Sequence, residues 1–261
     1  PYSFKEYLAA QHVELKEHWE YDTIQRSEVK RHLNEYFYYG GLPEIQSFKN
    51  KRAMLSSLYQ KIYLGDICAR NNIKNDRVLN ILIKKMAESV KQPLSYNRLK
   101  NVIVATRSPI SVPTTIDYVD YASDSWLILP MENEVGKLTE KEMQKKYYFV
   151  DNGLLNLFLM NSETSLLENM VAVELCRRFG KKNVFFLNAE KEIDFIVPDE
   201  KLAIQVSYSI KDETTYNREV PPLAKYAKAH EDWKCLLITY DEEGTEEGIT
   251  VVPVWKWLME V

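Results

Sequence analysis

The residue hardest to place in this chain is Asp194, a carboxylate in the middle of the apolar run Glu192-Ile193-Asp194-Phe195-Ile196-Val197. A charge set into a buried strand must find a partner or it costs several kcal/mol. Upstream, Leu166 to Phe179 has the periodicity of an amphipathic helix and carries Glu168. Downstream, Leu202 to Tyr208 reads as a second strand, with Pro198-Asp199-Glu200-Lys201 as the turn between the two. The two-residue period of a strand puts Gln205 and Ser207 on one face. Helix, strand and strand can therefore bring Glu168, Asp194, Gln205 and Ser207 together at a sheet surface.

Carboxylates so gathered can hold Mg2+ or Mn2+, which polarises a phosphodiester and activates a water. Glu168, Asp194 and Gln205 are the candidate catalytic residues, with Asp194 and Gln205 as metal ligands. Plainer readings stand beside this one. Ser165-Leu166-Leu167-Glu168 fits a capping box in which Glu168 returns a hydrogen bond to the Ser165 backbone. A salt bridge to Lys201 or Arg218 would satisfy Asp194.

With 261 residues, 45% hydrophobic and 28% charged, the chain is long enough for two domains or three small ones and can bury a core. No stretch approaches the ~18 consecutive apolar residues of a membrane span, and no charged-then-apolar leader opens it. A cytoplasmic protein without membrane partners is expected, and the opening Pro1 suggests a segment upstream. Cys68, Cys176 and Cys235 are far apart in apolar surroundings, as buried free thiols are. His12, His18, His32 and His230 lack metal-ligand spacing with them, and none of the seven is assigned a role.

Residues 1 to about 37 read as helices, closed by Tyr39-Gly40-Gly41-Leu42-Pro43, where two glycines release the chain. No strand precedes these glycines and no Lys-Ser/Thr follows, so they are not a phosphate loop. Another helix runs through Leu55 to Tyr63. Three more follow: Val78 to Ala87, one capped by Ser95, and one beginning at Pro113. Trp126 to Pro130 and Tyr147 to Val150 then read as two strands joined by a polar linker. Three helices and a two-stranded wing make a winged helix-turn-helix, spanning 71–153 after a helical segment over 1–70. From 154 to 261 the pattern is α/β, with further strands at Val184 to Leu187, Cys235 to Thr239 and Ile249 to Val252, and a helix over Asn217 to Ala229. Asp241 to Glu247 reads as a solvated acidic turn, lacking the alternation of a calcium loop.

Charge is unevenly spread. Between Asn71 and Pro113 the balance is +6, in a chain whose net charge is −4. Lys84, Lys85, Lys91, Arg98, Lys100 and Arg107 are the candidate nucleic-acid contacts, meeting the phosphate backbone without reading sequence. The third helix, which would enter the major groove of DNA, carries Asp117, Asp120 and Asp124 and no basic residue. A solvated lysine face and a winged helix used only for protein contacts are the alternatives.

Six motifs occur in order: Tyr36 to Glu44, Tyr63-Leu64-Gly65-Asp66-Ile67, Lys146 to Gly153, Leu167-Glu168-Asn169, Glu192-Ile193-Asp194-Phe195 and Thr214 to Glu219. Together they resemble the C-terminal region of a bacterial and archaeal family of AAA+-type ATPases whose C-terminal domain has no assigned function. Pro1 to Leu8 is similar to the segment that follows the ATPase core, so the resemblance covers essentially the whole chain. It implies helices, a winged helix and a restriction-endonuclease-like PD-(D/E)xK α/β domain with a small mixed sheet. It also implies an N-terminal P-loop module that is absent here, through which alone ATP would bind and which would be a partner of this region. In the nuclease-like pattern Glu168 matches the helix acid, Asp194 the strand acid and Gln205 the following acid, while Ser207 stands in the lysine position. That departure argues for a degenerate nuclease fold serving nucleic-acid or partner recognition, with Lys191 and Lys201 as displaced lysines to consider. A metal-dependent nuclease and a scaffold for homo-oligomers or partners are the competing expectations.

Overall fold

A computed structural model describes residues 1–74, 76–188 and 192–260. It is a mixed α and β protein with twelve α-helices and two sheets, of three and six strands, among the described residues. The opening helices are α1 (Phe4–Ala10), α2 (Thr23–Tyr39), α3 (Pro43–Gln46) and α4 (Lys51–Lys61), the last continued by a π-helical stretch, Ile62–Ala69. α2 begins where Asp22 accepts hydrogen bonds from the Ile24 and Gln25 amides. It ends at Gly40, whose φ of +74° lies where a side chain is strained.

The middle of the chain runs α5 (Asp76–Glu88), β1 (Leu94–Ser95), α6 (Tyr96–Ala105), α7 (Val112–Asp124), β2 (Ile128–Met131), α8 (Leu138–Met143) and β3 (Gln144–Phe149). Ser95 caps α6 through the Arg98 amide and Ser111 caps α7 through the Thr114 amide. β3 is central and antiparallel to both neighbours, in the order β1-β3-β2. β3 starts three residues earlier than the apolar pattern suggested, so Lys146 lies inside it.

The remainder comprises α9 (Asn152–Asn156), α10 (Glu163–Phe179), β4 (Phe185–Asn188), β5 (Glu192–Val197), β6 (Leu202–Val206), α11 (Glu213–Ala229), β7 (Lys234–Thr239), β8 (Gly244–Glu246), β9 (Ile249–Pro253) and α12 (Val254–Trp257). The sheet order is β4-β5-β6-β7-β9-β8. β4, β5 and β6 run antiparallel, and β6, β7 and β9 run parallel. β8 occupies part of what the sequence suggested was only an acidic turn.

Two apolar clusters sandwich this sheet. On one face Phe195, Val197, Ile204 and Ile238 pack with Leu167 and Val171 of α10, in a core continuous with α1, α2, α5 and β3. On the other face Ile196, Ala203, Leu237 and Val251 pack with Val220, Leu223 and Ala224 of α11. Strands buried on both faces explain why β5 and β6 are apolar runs rather than alternating ones. The cysteines are free, Cys68 buried and Cys176 and Cys235 half-buried.

Candidate functional site

Asp194 finds its partner on the three-stranded sheet. The Lys146 ammonium lies 3.3 Å from Asp194 Oδ1, 3.2 Å from Glu168 Oε1 and 3.0 Å from Glu192 Oε1. An ammonium has three donors, and three carboxylates face this one. The Lys146 side chain is 0% exposed, whereas that of Glu192 is 45% exposed at the mouth of the cluster.

Each member is positioned by its element. The register that pairs Phe195 with Ile204 sets Asp194 beside Gln205. Asp194 Oδ2 accepts the Val206 amide at 2.9 Å, and the Asp194 amide donates to Gln205 Oε1 at 3.2 Å. α10 is fixed against β3 by Asn169, whose amide side chain pairs with both backbone groups of Phe149, at 2.7 and 3.0 Å, and also donates to Asn152 Oδ1. That docking brings Glu168 to Lys146 and to Tyr148, whose hydroxyl donates to Glu168 Oε1 at 2.8 Å.

Burial pushes the Glu168 carboxyl up to about 7, against the opposing charge of Lys146. For Lys146 burial alone would favour the neutral amine. The surrounding charges of Glu168, Asp194 and Glu192 outweigh it and hold the ammonium well above its ordinary value. Tyr148 is held neutral by burial and then by the Glu168 charge.

The capping box expected at Ser165 is corrected: α10 begins at Glu163, Ser165 lies inside its first turn, and Glu168 is buried against Lys146 and Tyr148. Neither salt bridge expected for Asp194 forms. Lys201 pairs with Asp232 at 2.6 Å, and Arg218 with Glu219 at 2.7 Å. Gln205 is brought to Asp194, but its Oε1 accepts the Asp194 amide and its amide nitrogen donates to Glu219 at 2.6 Å. Ser207 turns to the Ser209 carbonyl instead. Lys191 lies outside the described residues.

Glu168, Glu192, Asp194, Gln205 and Ser207 line a cleft of about 400 Å³, with Arg218 and Glu219 on one wall and Lys91 and Thr164 on another. Lys91 donates to Thr164 Oγ1 at 2.9 Å, so the basic middle stretch reaches the cleft through it. Lys84, Arg98 and Arg107 are exposed and Lys85 and Lys100 half-exposed. Lys85 pairs with Glu88 at 3.5 Å, while no ion pair among the described residues engages Lys84, Arg98, Lys100 or Arg107. On α7, Asp117, Asp120 and Asp124 are all exposed. No group of three or more His, Cys, Asp or Glu among the described residues is placed to hold a metal ion by itself. The carboxylates that do converge here converge on an ammonium.

Lys146, Glu192, Tyr148 and Glu219 were not among the sequence candidates. One clue was available for Lys146, a cation opening the apolar run Tyr147-Tyr148-Phe149-Val150, the mirror image of the problem posed by Asp194.

Residues 30–165 match a family described as a domain of unknown function, DUF8612. An uncharacterized protein of Methanocaldococcus jannaschii is 31% identical over 279 residues, an alignment covering 98% of this chain and 62% of that protein. An uncharacterized protein of Haemophilus influenzae is 30% identical over 270 residues, covering 100% of this chain and 64% of the relative. The chain thus spans less than two thirds of the length of these relatives. No solved structure matches it significantly. No helix among the described residues is long and apolar enough to cross a membrane.

Proposed function

We propose, for a chain that belongs to the family of the domain of unknown function DUF8612, that it is the recognition region of a longer AAA+-type ATPase and holds nucleic acid without cutting it. In this reading α5, α6 and α7 with β1, β2 and β3 are a winged helix. α10 with β4 to β7 and α11 is a nuclease-like unit, and ATP is the business of a module outside this chain. The motif series supports the assignment, as does the greater length of the relatives.

The observation that carries the reading is the Lys146 ammonium, surrounded by the carboxylates that a catalytic cation would need. All three of its donors face protein oxygens. Gln205 supplies a neutral amide where a charged ligand would hold Mg2+ better. Ser207 has no positive charge to offer a phosphate. The remaining chemistry suits binding: unpaired cations on α5 and α6 lead toward Lys91 at the cleft.

Two measurements test this. Single- and double-stranded DNA incubated with the protein and Mg2+ or Mn2+ should remain intact. Cleavage that disappears in Asp194→Asn would overturn the non-cutting half of the proposal and make the site a nuclease. Titration of a DNA duplex should give binding that weakens steeply with salt, with log K falling by about 0.9 per neutralised phosphate on a log salt scale. Lys84→Glu combined with Lys85→Glu should weaken it further, by at least about tenfold, and flatten that slope. Absence of binding at low salt would transfer the basic face to a protein partner.

A further inference from the structure

A second cavity, of about 500 Å³, shares no lining residue with the carboxylate cleft and lies between the β4–β5 hairpin, the segment after β2 and the C-terminal end of α11. Its aromatic wall is a consequence of helix periodicity. Tyr226 and His230 are four residues apart on α11 and its C-cap, so their rings meet, with centroids 4.0 Å apart and planes 17° from parallel. Trp233 joins them at 5.5 and 5.7 Å, edge-on to both. The cluster is held from the backbone side: His230 Nδ1 is 3.0 Å from the Tyr226 carbonyl, and the Trp233 amide donates to the His230 carbonyl at 2.9 Å. Leu187, Ile196 and Pro198 give the rest of the lining its apolar character.

Among the described residues Glu134 is the only acidic one on that lining. Its backbone is fixed by its amide donating to the Phe186 carbonyl at 2.8 Å. Lys141 donates to the Glu134 backbone carbonyl rather than to its carboxylate. No hydrogen bond or ion pair among the described residues engages that carboxylate. Its charge is felt within the cavity: the Tyr226 hydroxyl is pushed up to about 12, by burial first, with Cys235 and Glu134 adding to it.

We propose that this cavity binds an organic monocation with apolar substituents, of the methylated or quaternary ammonium class. Aromatic rings attract such a cation electrostatically while its methyl groups fill apolar space, and Glu134 supplies the counter-charge. A phosphate-bearing ligand would meet Glu134 with like charge. A bare metal ion would find one carboxylate where it needs several oxygen ligands. A neutral apolar ligand would desolvate Glu134 with nothing in return. The site is independent of the nucleic-acid reading, and either can fail without the other.

The test follows the Trp233 indole N–H by NMR during titration with choline and, separately, with its uncharged isostere in which carbon replaces the nitrogen. Choline should shift this resonance saturably, with the isostere at least about tenfold weaker, and Glu134→Gln should cost choline about tenfold. Trp233→Ala should abolish binding, and Glu134→Gln, at a half-exposed position, keeps the test meaningful if that variant does not fold. Equal affinity for choline and the isostere, no saturable shift, or choline binding unchanged in Glu134→Gln would each overturn the proposal. A trimethyllysine peptide run beside choline separates two sources of the same cation: tighter binding of the peptide places it on a partner chain, and equal binding leaves a free small molecule.

Discussion

Lys146→Met will melt well below the wild-type protein, with a loss of about 3–5 kcal/mol, the usual cost of removing one partner from a buried ion pair. For a chain of this size that is a fall of roughly 6–20 °C in Tm. The cause is local, because methionine fills the space but leaves Glu168 and Asp194 buried without the ammonium between them. The loss depends on pH with a definite sign. Glu168 already titrates near 7, above its ordinary 4.5. Its protonated form is therefore favoured in the fold, and its contribution to stability is fully present below about 4.5 and lost as pH rises through 7. Removing Lys146 raises that carboxyl further, so the gap between variant and wild type should widen from about pH 6 to about pH 9. Thermal melts followed by circular dichroism at three pH values measure both the loss and its pH dependence. A variant melting within about 1 kcal/mol of wild type at every pH would dismiss the ammonium as the centre of the cluster.

The same cluster shows what the sequence could yield. α6 was legible because the apolar period and a serine cap are local features, and Ser95 does cap it, whereas α7 was read from Pro113 and its cap, Ser111, had not been singled out. Asp194 was conspicuous because burial makes a lone carboxylate costly wherever the strand ends up. Its partner was hidden because it lies on β3, 48 residues away and on the other sheet. No periodicity encodes a contact set by how two sheets dock. Glu168 shows the opposite failure, where a local pattern suggested a cap while the helix started elsewhere and the residue turned inward. β1 and β8, with two and three residues, are too short to show alternation, and pairing with a longer neighbour defines them. Glu192 read as the polar start of a strand, and only the position of Lys146 makes it part of a site.

Gly153→Ala will fail to accumulate as folded protein, and the reason lies in how the turn Asp151-Asn152-Gly153 joins the N-terminal helices to the α/β sheet. Asp151 is buried and accepts three backbone amides: Gly41 at 2.7 Å, Gly153 at 2.8 Å and Leu154 at 3.3 Å. Those bonds lower its carboxyl, yet burial wins and holds it up at about 6. Asn152 donates to the Phe37 carbonyl on α2 and to the Leu166 carbonyl on α10. α9 is thereby pressed onto α2 so closely that a Cβ on Gly153 would overlap the Tyr39 carbonyl and come within 2.9 Å of Leu55 Cδ1. The leucine can turn away, but the carbonyl belongs to the last turn of α2 and can move only with the helix. Overpacking a flexible side chain costs about 1–3 kcal/mol, and displacing backbone should exceed that range. Gly65→Ala is the control, since nothing lies within 4 Å of a Cβ at that exposed helical position. Replacing glycine there should leave stability unchanged or raise it by up to about 1 kcal/mol. Soluble yield and Tm of the two variants decide the matter: if Gly153→Ala melts with Gly65→Ala, the turn does not hold α2 and α9 together.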